Sequence, residues 1–357
     1  MTISLKIRTS NQFIYYSKDS KIGVIIYLIP ENSSQVKNIH FIIAVDNSPS
    51  MMKDGKFQTA VESAQRLISS LPKDNMVTLI LFSNHPRVIY TGNTGIYVPV
   101  PTEKGATTRF HELIKYVIEL SSRYQMPTRA ILLTDGKPVD KRNVKDYEKL
   151  SFPANLQIIA IGIGRDYNEV ILKRLADMTA GLFYHIEDSS QLPQLFQEQS
   201  SNGVFATNVR VNVPQGFSPL NFDMPIRIPI VEGLVAVYGV MNVPPGDKDF
   251  EVPIIVTYND PSNSQERTLN QTVVLKRAPD QVVEANVNKE VEAEIQYYTL
   301  LRDYTNALES GKEATKILQK LREAAEATRR EDLIEATQRL TGDSKVDLSE
   351  ATKKMRK

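Results

Sequence analysis

The central part of the chain alternates between two hydrophobic patterns. Short runs that are almost entirely apolar predict buried strands at residues 39–45, 76–82, 130–133 and 156–161. Between them, apolar side chains recur every three or four positions, as in amphipathic helices, over residues 56–71, 110–120 and 170–178. Repeated strand–helix units with apolar, β-branched strands predict an α/β fold with a doubly wound, Rossmann-like parallel sheet.

Both flanks of this region have the alternating pattern of strands with one buried face. After residue 200 the pattern covers residues 207–213, 231–243, 250–258 and 267–276. The first 36 residues hold only two strand-like runs, which bury too little apolar surface to be stable alone. We therefore predict a β-sandwich formed by residues 1–36 and 201–281, into which an α/β domain of residues 37–200 is inserted.

The pattern becomes helical from about residue 282. Apolar positions keep helical spacing up to Gly311 and again over residues 314–327, and a third short helix near 331–340 ends at Gly342. Short helices with one apolar stripe each predict a small bundle, so residues 282–357 are expected to form a C-terminal helical domain. The polar and basic residues 344–357 are expected to be a loose helix or disordered.

Composition narrows the class of protein. Hydrophobic residues make up 41% of the chain and charged residues 24%, as in globular proteins, and the net charge of +1 gives no reason to expect direct binding of nucleic acid. The chain has no cysteine, which excludes disulfides, thiolate metal sites and cysteine nucleophiles. No apolar run approaches the ~20 residues of a membrane span, and the N-terminus lacks the apolar core of a signal peptide, so we expect a cytoplasmic protein.

Oxygen-bearing side chains follow two of the predicted strands. Asp46, Ser48 and Ser50 occupy alternate positions after the first strand, Thr107 lies in a glycine-containing turn, and Asp135 ends a later strand. The carboxyl ends of parallel strands meet at one edge of a sheet, so these residues can converge there. Carboxylates with hydroxyls suit Mg²⁺, Mn²⁺ or Ca²⁺ and not zinc or copper. The alternative is that the same side chains only cap helices.

The order Asp-x-Ser-x-Ser, then Thr, then Asp-Gly resembles the metal-ion-dependent adhesion site (MIDAS) of the von Willebrand factor type A (VWA) family. The resemblance covers residues 36–200. It implies that Ser48, Ser50 and Thr107, or their waters, coordinate a divalent ion, and that Asp46 and Asp135 act directly or through water. It also implies one open coordination position, which a carboxylate of a protein partner often fills in this family.

Catalysis has weaker support. The four histidines, at positions 40, 85, 111 and 185, do not pair with a serine in a recognisable nucleophile motif, and His40 lies in an apolar strand, where a core role is expected. A divalent ion with hydroxyls can activate water, so a metal-dependent hydrolase remains an alternative. We expect a protein that is not an enzyme.

The C-terminal region carries hydroxyls among charged residues. Phosphorylation there would create a dianionic group for an Arg-bearing reader domain, whereas the alternative is an ordinary solvated helical face. The candidate positions are Thr328, Thr337, Thr341, Ser344, Ser349 and Thr352.

The whole layout resembles vesicle-coat proteins and a group of archaeal cytoplasmic VWA proteins. Within that group it is similar to the VWA partner of a forkhead-associated (FHA) protein in archaellum regulation. The resemblance implies a scaffold that Ser/Thr kinases phosphorylate, that binds an FHA-domain protein and that represses motility genes. The alternative is a subunit that recruits substrates to an AAA+ ATPase.

Overall fold

Three strands open the chain and belong to a β-sandwich that later segments complete. They are β1 (Ile3–Thr9), β2 (Phe13–Ile14) and β3 (Ser20–Pro30). The computed structural model describes residues 2–31, 38–124, 126–200 and 203–356. The predicted domain boundaries at residues 36–37 and at residue 201 lie outside the described residues.

The central sheet has six strands, in the order β6-β5-β4-β7-β8-β9. All pair in parallel except β6, which is antiparallel to β5. Strand β6 was not predicted from the sequence, and it adds an antiparallel edge to the predicted parallel sheet, because residues 83–85 are too few for a crossover and form a hairpin instead. The strands are β4 (His40–Asp46), β5 (Met76–Phe82), β6 (Pro86–Asn93), β7 (Thr128–Thr134), β8 (Leu156–Ile163) and β9 (Leu182–Ile186).

Helices cover both faces of the central sheet, as predicted for a doubly wound fold. Ile43 and Val45 of β4 pack towards α1 and α5, whereas Ile42 and Ala44 pack towards α2 and α4. A strand that is buried on both faces explains the continuous apolar run in the sequence. The helices are α1 (Lys56–Ser70), α2 (Phe110–Tyr124), α3 (Val144–Glu148), α4 (Glu169–Met178) and α5 (Leu192–Ser200).

The sandwich consists of a four-stranded sheet, β1-β3-β13-β11, and a five-stranded sheet, β12-β10-β14-β15-β2. Strand β3 pairs with β13, so segments from both ends of the α/β region share one sheet, as predicted. The strand predicted at residues 231–243 is present from Val235 to Val243 and starts later than predicted, because the chain crosses between the sheets at residues 232–234. The later strands are β10 (Ala206–Asn212), β11 (Phe217–Pro219), β12 (Ile226–Val231), β13 (Val235–Val243), β14 (Phe250–Asn259) and β15 (Glu266–Arg277).

The C-terminal helices pack against the outer face of the sandwich and against the central domain. Tyr298 stacks on Tyr238 of β13 with ring centroids 3.7 Å apart, within an apolar cluster that joins helices and sandwich. The helices are α6 (Asp280–Ala285), α7 (Lys289–Glu309), α8 (Thr315–Thr328), α9 (Glu331–Gln338) and α10 (Ser344–Arg356). None of the helices in the described parts of the chain is long and apolar enough to cross a membrane.

The expectation of a loose or disordered end was wrong for residues 344–356. Helix α10 buries Leu348, Ala351 and Met355, and Ser349 joins it to the edge strand β9. The Ser349 hydroxyl accepts a hydrogen bond from the His185 backbone N–H at 3.0 Å and donates to a β9 carbonyl at 3.2 Å. Because its hydroxyls find partners in the fold, a segment with few apolar residues can still be buried.

Candidate metal centre

Four of the five residues predicted as metal ligands lie together at the carboxyl ends of β4 and β7. The carboxylate of Asp46 accepts hydrogen bonds from the Ser48 backbone N–H (2.8 Å) and the Thr134 hydroxyl (2.7 Å). The hydroxyls of Ser48 and Ser50 are 3.2 Å apart, and Ser50 donates to Asp135 at 2.6 Å. Adjacent parallel strands thus bring Asp46, Ser48, Ser50 and Asp135 into one hydrogen-bonded group, called here the oxygen cluster.

The loop before α2 lies against the oxygen cluster at close range. The Gly105 N–H donates to the Asn47 carbonyl at 2.9 Å, and the Asn47 side chain donates to the Glu103 carbonyl at 2.9 Å. A Cβ atom at Gly105 would lie 1.9 Å from the Ser83 hydroxyl, so a residue with a side chain would force the loops apart. These contacts fix the position of the loop that carries both threonines.

The fifth predicted ligand, Thr107, is not joined to the oxygen cluster. Its hydroxyl donates to Asn84 at 2.9 Å, in the loop after β5. The next residue, Thr108, is buried, and its hydroxyl lies 3.1 Å from the Cβ position of Gly136, which is itself 3.9 Å from the Ser50 hydroxyl. The threonine beside the cluster is therefore Thr108, and two consecutive threonines give no sequence signal that separates them.

Sequence reasoning also missed Lys56, which lies at the start of α1. Its ammonium group is 2.8 Å from the Asp135 carboxylate. The available signal was a basic residue at the first position of a helix, where the positive end of the helix dipole disfavours a cation. Such a residue is easily taken for ordinary surface, because its partner lies far away in the sequence.

The electrostatics of Asp46 suit a divalent cation. Burial raises the pKa of its carboxyl group to about 7, although hydrogen bonds from Ser48 and Thr134 oppose the shift. Within the described residues, the ion pairs do not include Asp46, and no group of three Asp, Glu, His or Cys side chains could hold a metal. A metal at the cluster would therefore use hydroxyl or water ligands beside the two carboxylates, and the oxygen donors present fit Mg²⁺, Mn²⁺ or Ca²⁺.

The histidines of the described chain have other partners. His40 is a core residue, as predicted: it contacts Thr78 at 2.9 Å, and burial lowers its pKa to about 4. His85 contacts Glu112 and His185 contacts Tyr167, each at 2.7 Å. The ring of His111 packs edge-on against Tyr147, with ring centroids 5.1 Å apart.

The phosphorylation candidates divide by burial. Thr337, Ser349 and Thr352 are buried, and their hydroxyls bond inside the helical domain or to β9, as the Thr352 hydroxyl does to the Leu348 carbonyl. A kinase cannot reach a hydroxyl in such a position without local unfolding. The candidates at the surface are Thr341, which is exposed, and Thr328 and Ser344, which are half-buried.

Comparisons with known proteins agree with this architecture. A family model of the von Willebrand factor type A domain matches residues 40–198, and one of the C-terminal domain of Archaellum regulatory network B (ArnB) matches residues 289–357.

The crystal structure of the ArnB paralog VWA2 from Sulfolobus acidocaldarius is 41% identical in sequence. The two structures superpose with a TM-score of 0.95, over 99% of this chain and 98% of that one. The chain belongs to the ArnB–VWA2 family. The VWA relationship expected from the sequence is thus confirmed, together with its archaeal subgroup.

More distant relatives share the ArnB–VWA2 fold or part of the sequence. A von Willebrand factor type A structure from Catenulispora acidiphila has a TM-score of 0.73 at 15% identity, covering 98% of this chain and 95% of that one. Human Sec24c of the COPII coat has a TM-score of 0.55 at 11% identity, covering 89% and 57%. Inter-alpha-trypsin inhibitor heavy chain H2 of Mus musculus is 25% identical over 53% of this chain, which spans only 22% of that protein.

Proposed function

We propose that this protein is a cytoplasmic, non-enzymatic scaffold in archaellum regulation that binds a protein partner through a divalent-metal MIDAS. The observation that carries the proposal is the convergence of Asp46, Ser48, Ser50 and Asp135 at one edge of the central sheet. Membership of the ArnB–VWA2 family supports the regulatory setting.

The residues around the cluster indicate how a metal would be held. The hydroxyls of Ser48, Ser50 and Thr108 would face the ion, with Asp46 and Asp135 binding directly or through water. The ion would supply an open position for a carboxylate of the partner. The chain's own contribution is to hold these oxygens together. Asp46 and Asp135 lie at the ends of two adjacent strands, and the serines and Thr108 lie on loops that contact each other.

The surface around the cluster favours an acidic partner. Lys53, Lys104 and Lys137 are exposed on three different loops beside it. Asp54 and Glu103, next to the first two, are also exposed, so Lys137 is the one of the three without an acidic neighbour in the chain. Val139 follows on the same loop as Lys137 and is 45% exposed, which adds an apolar contact next to the charges. Positive charge around a metal site attracts an acidic segment and speeds its association.

We expect Mg²⁺ and Mn²⁺ to bind the wild-type protein, and the Asp46→Ala and Asp135→Asn variants to lose that binding. Each change removes a negative charge from the site, and an effect of about 100-fold or more on affinity is expected for a direct ligand. Isothermal titration calorimetry on the folded proteins, checked by circular dichroism, measures it.

Asp54→Ala is the matched control, because Asp54 is exposed on the same loop and its replacement makes the same change in charge. A second pair of variants tests the threonine assignment: Thr108→Val should weaken Mn²⁺ binding more than Thr107→Val. Calorimetry that detects no binding to the wild type would contradict the metal proposal, and a larger effect of Thr107→Val would restore the ligand predicted from the sequence.

Regulation by phosphorylation is the second part of the proposal. A phosphate on the helical domain would give an FHA-domain partner a dianionic group to recognise, and Ser/Thr kinases would supply it. Thr341 is the best placed candidate, since it is exposed in the turn between α9 and α10.

When the folded protein is incubated with a Ser/Thr kinase and ATP, phosphate is expected on Thr341, Thr328 or Ser344 and not on the buried candidates. Peptide mapping by mass spectrometry locates it. Peptides that carry the candidate positions provide the control, because in unfolded peptides all six hydroxyls are open to the same kinase. Phosphate on Thr337 or Thr352 of the folded protein would contradict the burial argument.

A further inference from the structure

Lys56 occupies a position that local structure does not explain. It is the first residue of α1, where the helix dipole disfavours a cation, and the first turn of α1 carries no acidic side chain. Its side chain is only 22% exposed and reaches inward to Asp135, which is 2% exposed. The contact with that carboxylate is thus what accounts for the inward course of the lysine side chain.

The contact places the positive charge of Lys56 against Asp135, which is a proposed metal ligand. One oxygen of Asp135 accepts the Ser50 hydroxyl at 2.6 Å, and the other accepts the Lys56 ammonium group at 2.8 Å. Both oxygens of this carboxylate therefore have protein partners before any ion binds. An ammonium group is a compact point charge on a flexible stem, so it can hold a carboxylate and also move aside.

We propose that Lys56 is a built-in counter-cation of the oxygen cluster, which balances Asp135 in the metal-free protein and competes with the divalent ion. The proposal rests on the metal site proposed above. With both carboxylates ionised, Lys56 leaves the cluster with a single negative charge, so a divalent ion makes the site positive overall. A carboxylate from a partner restores neutrality, and Lys56 therefore couples metal binding to an acidic ligand.

The test compares Mn²⁺ affinities of the full chain by isothermal titration calorimetry. Lys56→Met is expected to tighten Mn²⁺ binding by about tenfold or more, because it removes a positive charge from beside the ion. Lys56→Gln is a second variant in case methionine disturbs folding. Lys53→Met is the matched control: Lys53 is exposed on the same loop, and no ion pair of it is seen in the described chain. Replacing Lys53 should change the Mn²⁺ affinity by less than about threefold, because solvent and salt screen an exposed charge.

The outcomes separate this inference from the metal proposal itself. Tighter binding by both Lys56 variants than by the wild type supports the inference. A wild type that binds no Mn²⁺ contradicts the metal proposal and, with it, this inference. Equal or weaker binding by the Lys56 variants, with a wild type that binds Mn²⁺, overturns the role of Lys56 and leaves the metal site standing. Absence of binding in all the proteins overturns both.

Discussion

Replacing Arg129 with methionine is expected to lower the free energy of unfolding by about 3 kcal/mol. Arg129 lies in β7 and is among the largest fully buried side chains of the described chain. Its guanidinium group contacts Glu232 at 2.8 Å and Gln157 at 3.0 Å. Methionine fills similar space but leaves these partners without a donor. The expected loss of unfolding free energy is at the lower end of the range for breaking a buried ion pair, because Glu232 is 21% exposed and can regain some water.

Urea denaturation followed by circular dichroism measures the change, and Arg123→Met provides the control. Arg123 pairs with Glu119 on the surface of α2, where both side chains are more than half exposed. An exposed pair of this kind contributes less than about 0.5 kcal/mol. If the two variants unfolded at the same urea concentration, the Arg129 contact would have no special part in stability.

The Arg129 contact also bears on the oxygen cluster. Glu232 lies between β12 and β13, so the ion pair ties the central sheet to the sandwich at the amino end of β7. The same strand ends in Thr134, which bonds Asp46, and is followed directly by Asp135. The strand that supplies a carboxylate of the site is thereby anchored at its other end to a second domain.

Much of the site could be predicted because it depends on strand ends. Asp46 and Asp135 each come at the end of an apolar run, and in a parallel sheet the carboxyl ends of the strands lie at one edge whatever the loops do. The choice between Thr107 and Thr108 could not be predicted, because it depends on how the Gly105 loop packs against Asn47 and Ser83. Lys56 is a similar case: it meets Asp135 across 79 positions of sequence, and only the fold brings them together.

For the C-terminal helix, the sequence pattern predicted less order than the structure has. Residues 344–357 are polar, and hydrophobic periodicity alone predicts that such a segment stays loose. In the structure, hydrogen bonds allow the polar side chains of this helix to be buried. The Thr352 hydroxyl donates to a carbonyl of its own helix, the Ser349 hydroxyl donates to a β9 carbonyl, and Asp347 is fully buried. These partners come from other elements or from helix carbonyls, so a pattern of apolar positions does not reveal them.

Replacing Asp347 with alanine is therefore expected to detach much of α10, at a cost of about 3 kcal/mol. The Asp347 carboxylate accepts the backbone N–H groups of Thr341 and Gly342, each at 2.8 Å, and the buried Tyr304 hydroxyl. Alanine leaves three donors without their acceptor, and the two backbone groups can regain water because their residues are exposed. Urea denaturation measures the stability, and hydrogen exchange at the His185 amide, which bonds Ser349 of α10, reports directly on docking.

Glu350→Ala on the same helix is the control for the Asp347 variant. Glu350 is only partly buried and pairs with Lys353 at the surface, so its loss should cost less than about 1 kcal/mol and leave the His185 amide protected. Wild-type protection of that amide in Asp347→Ala would show that α10 is held by its apolar residues alone. Lost protection would instead show that the turn carrying Thr341 and the docking of α10 depend on one carboxylate. A phosphate on Thr341 would then lie beside the group that holds the helix in place.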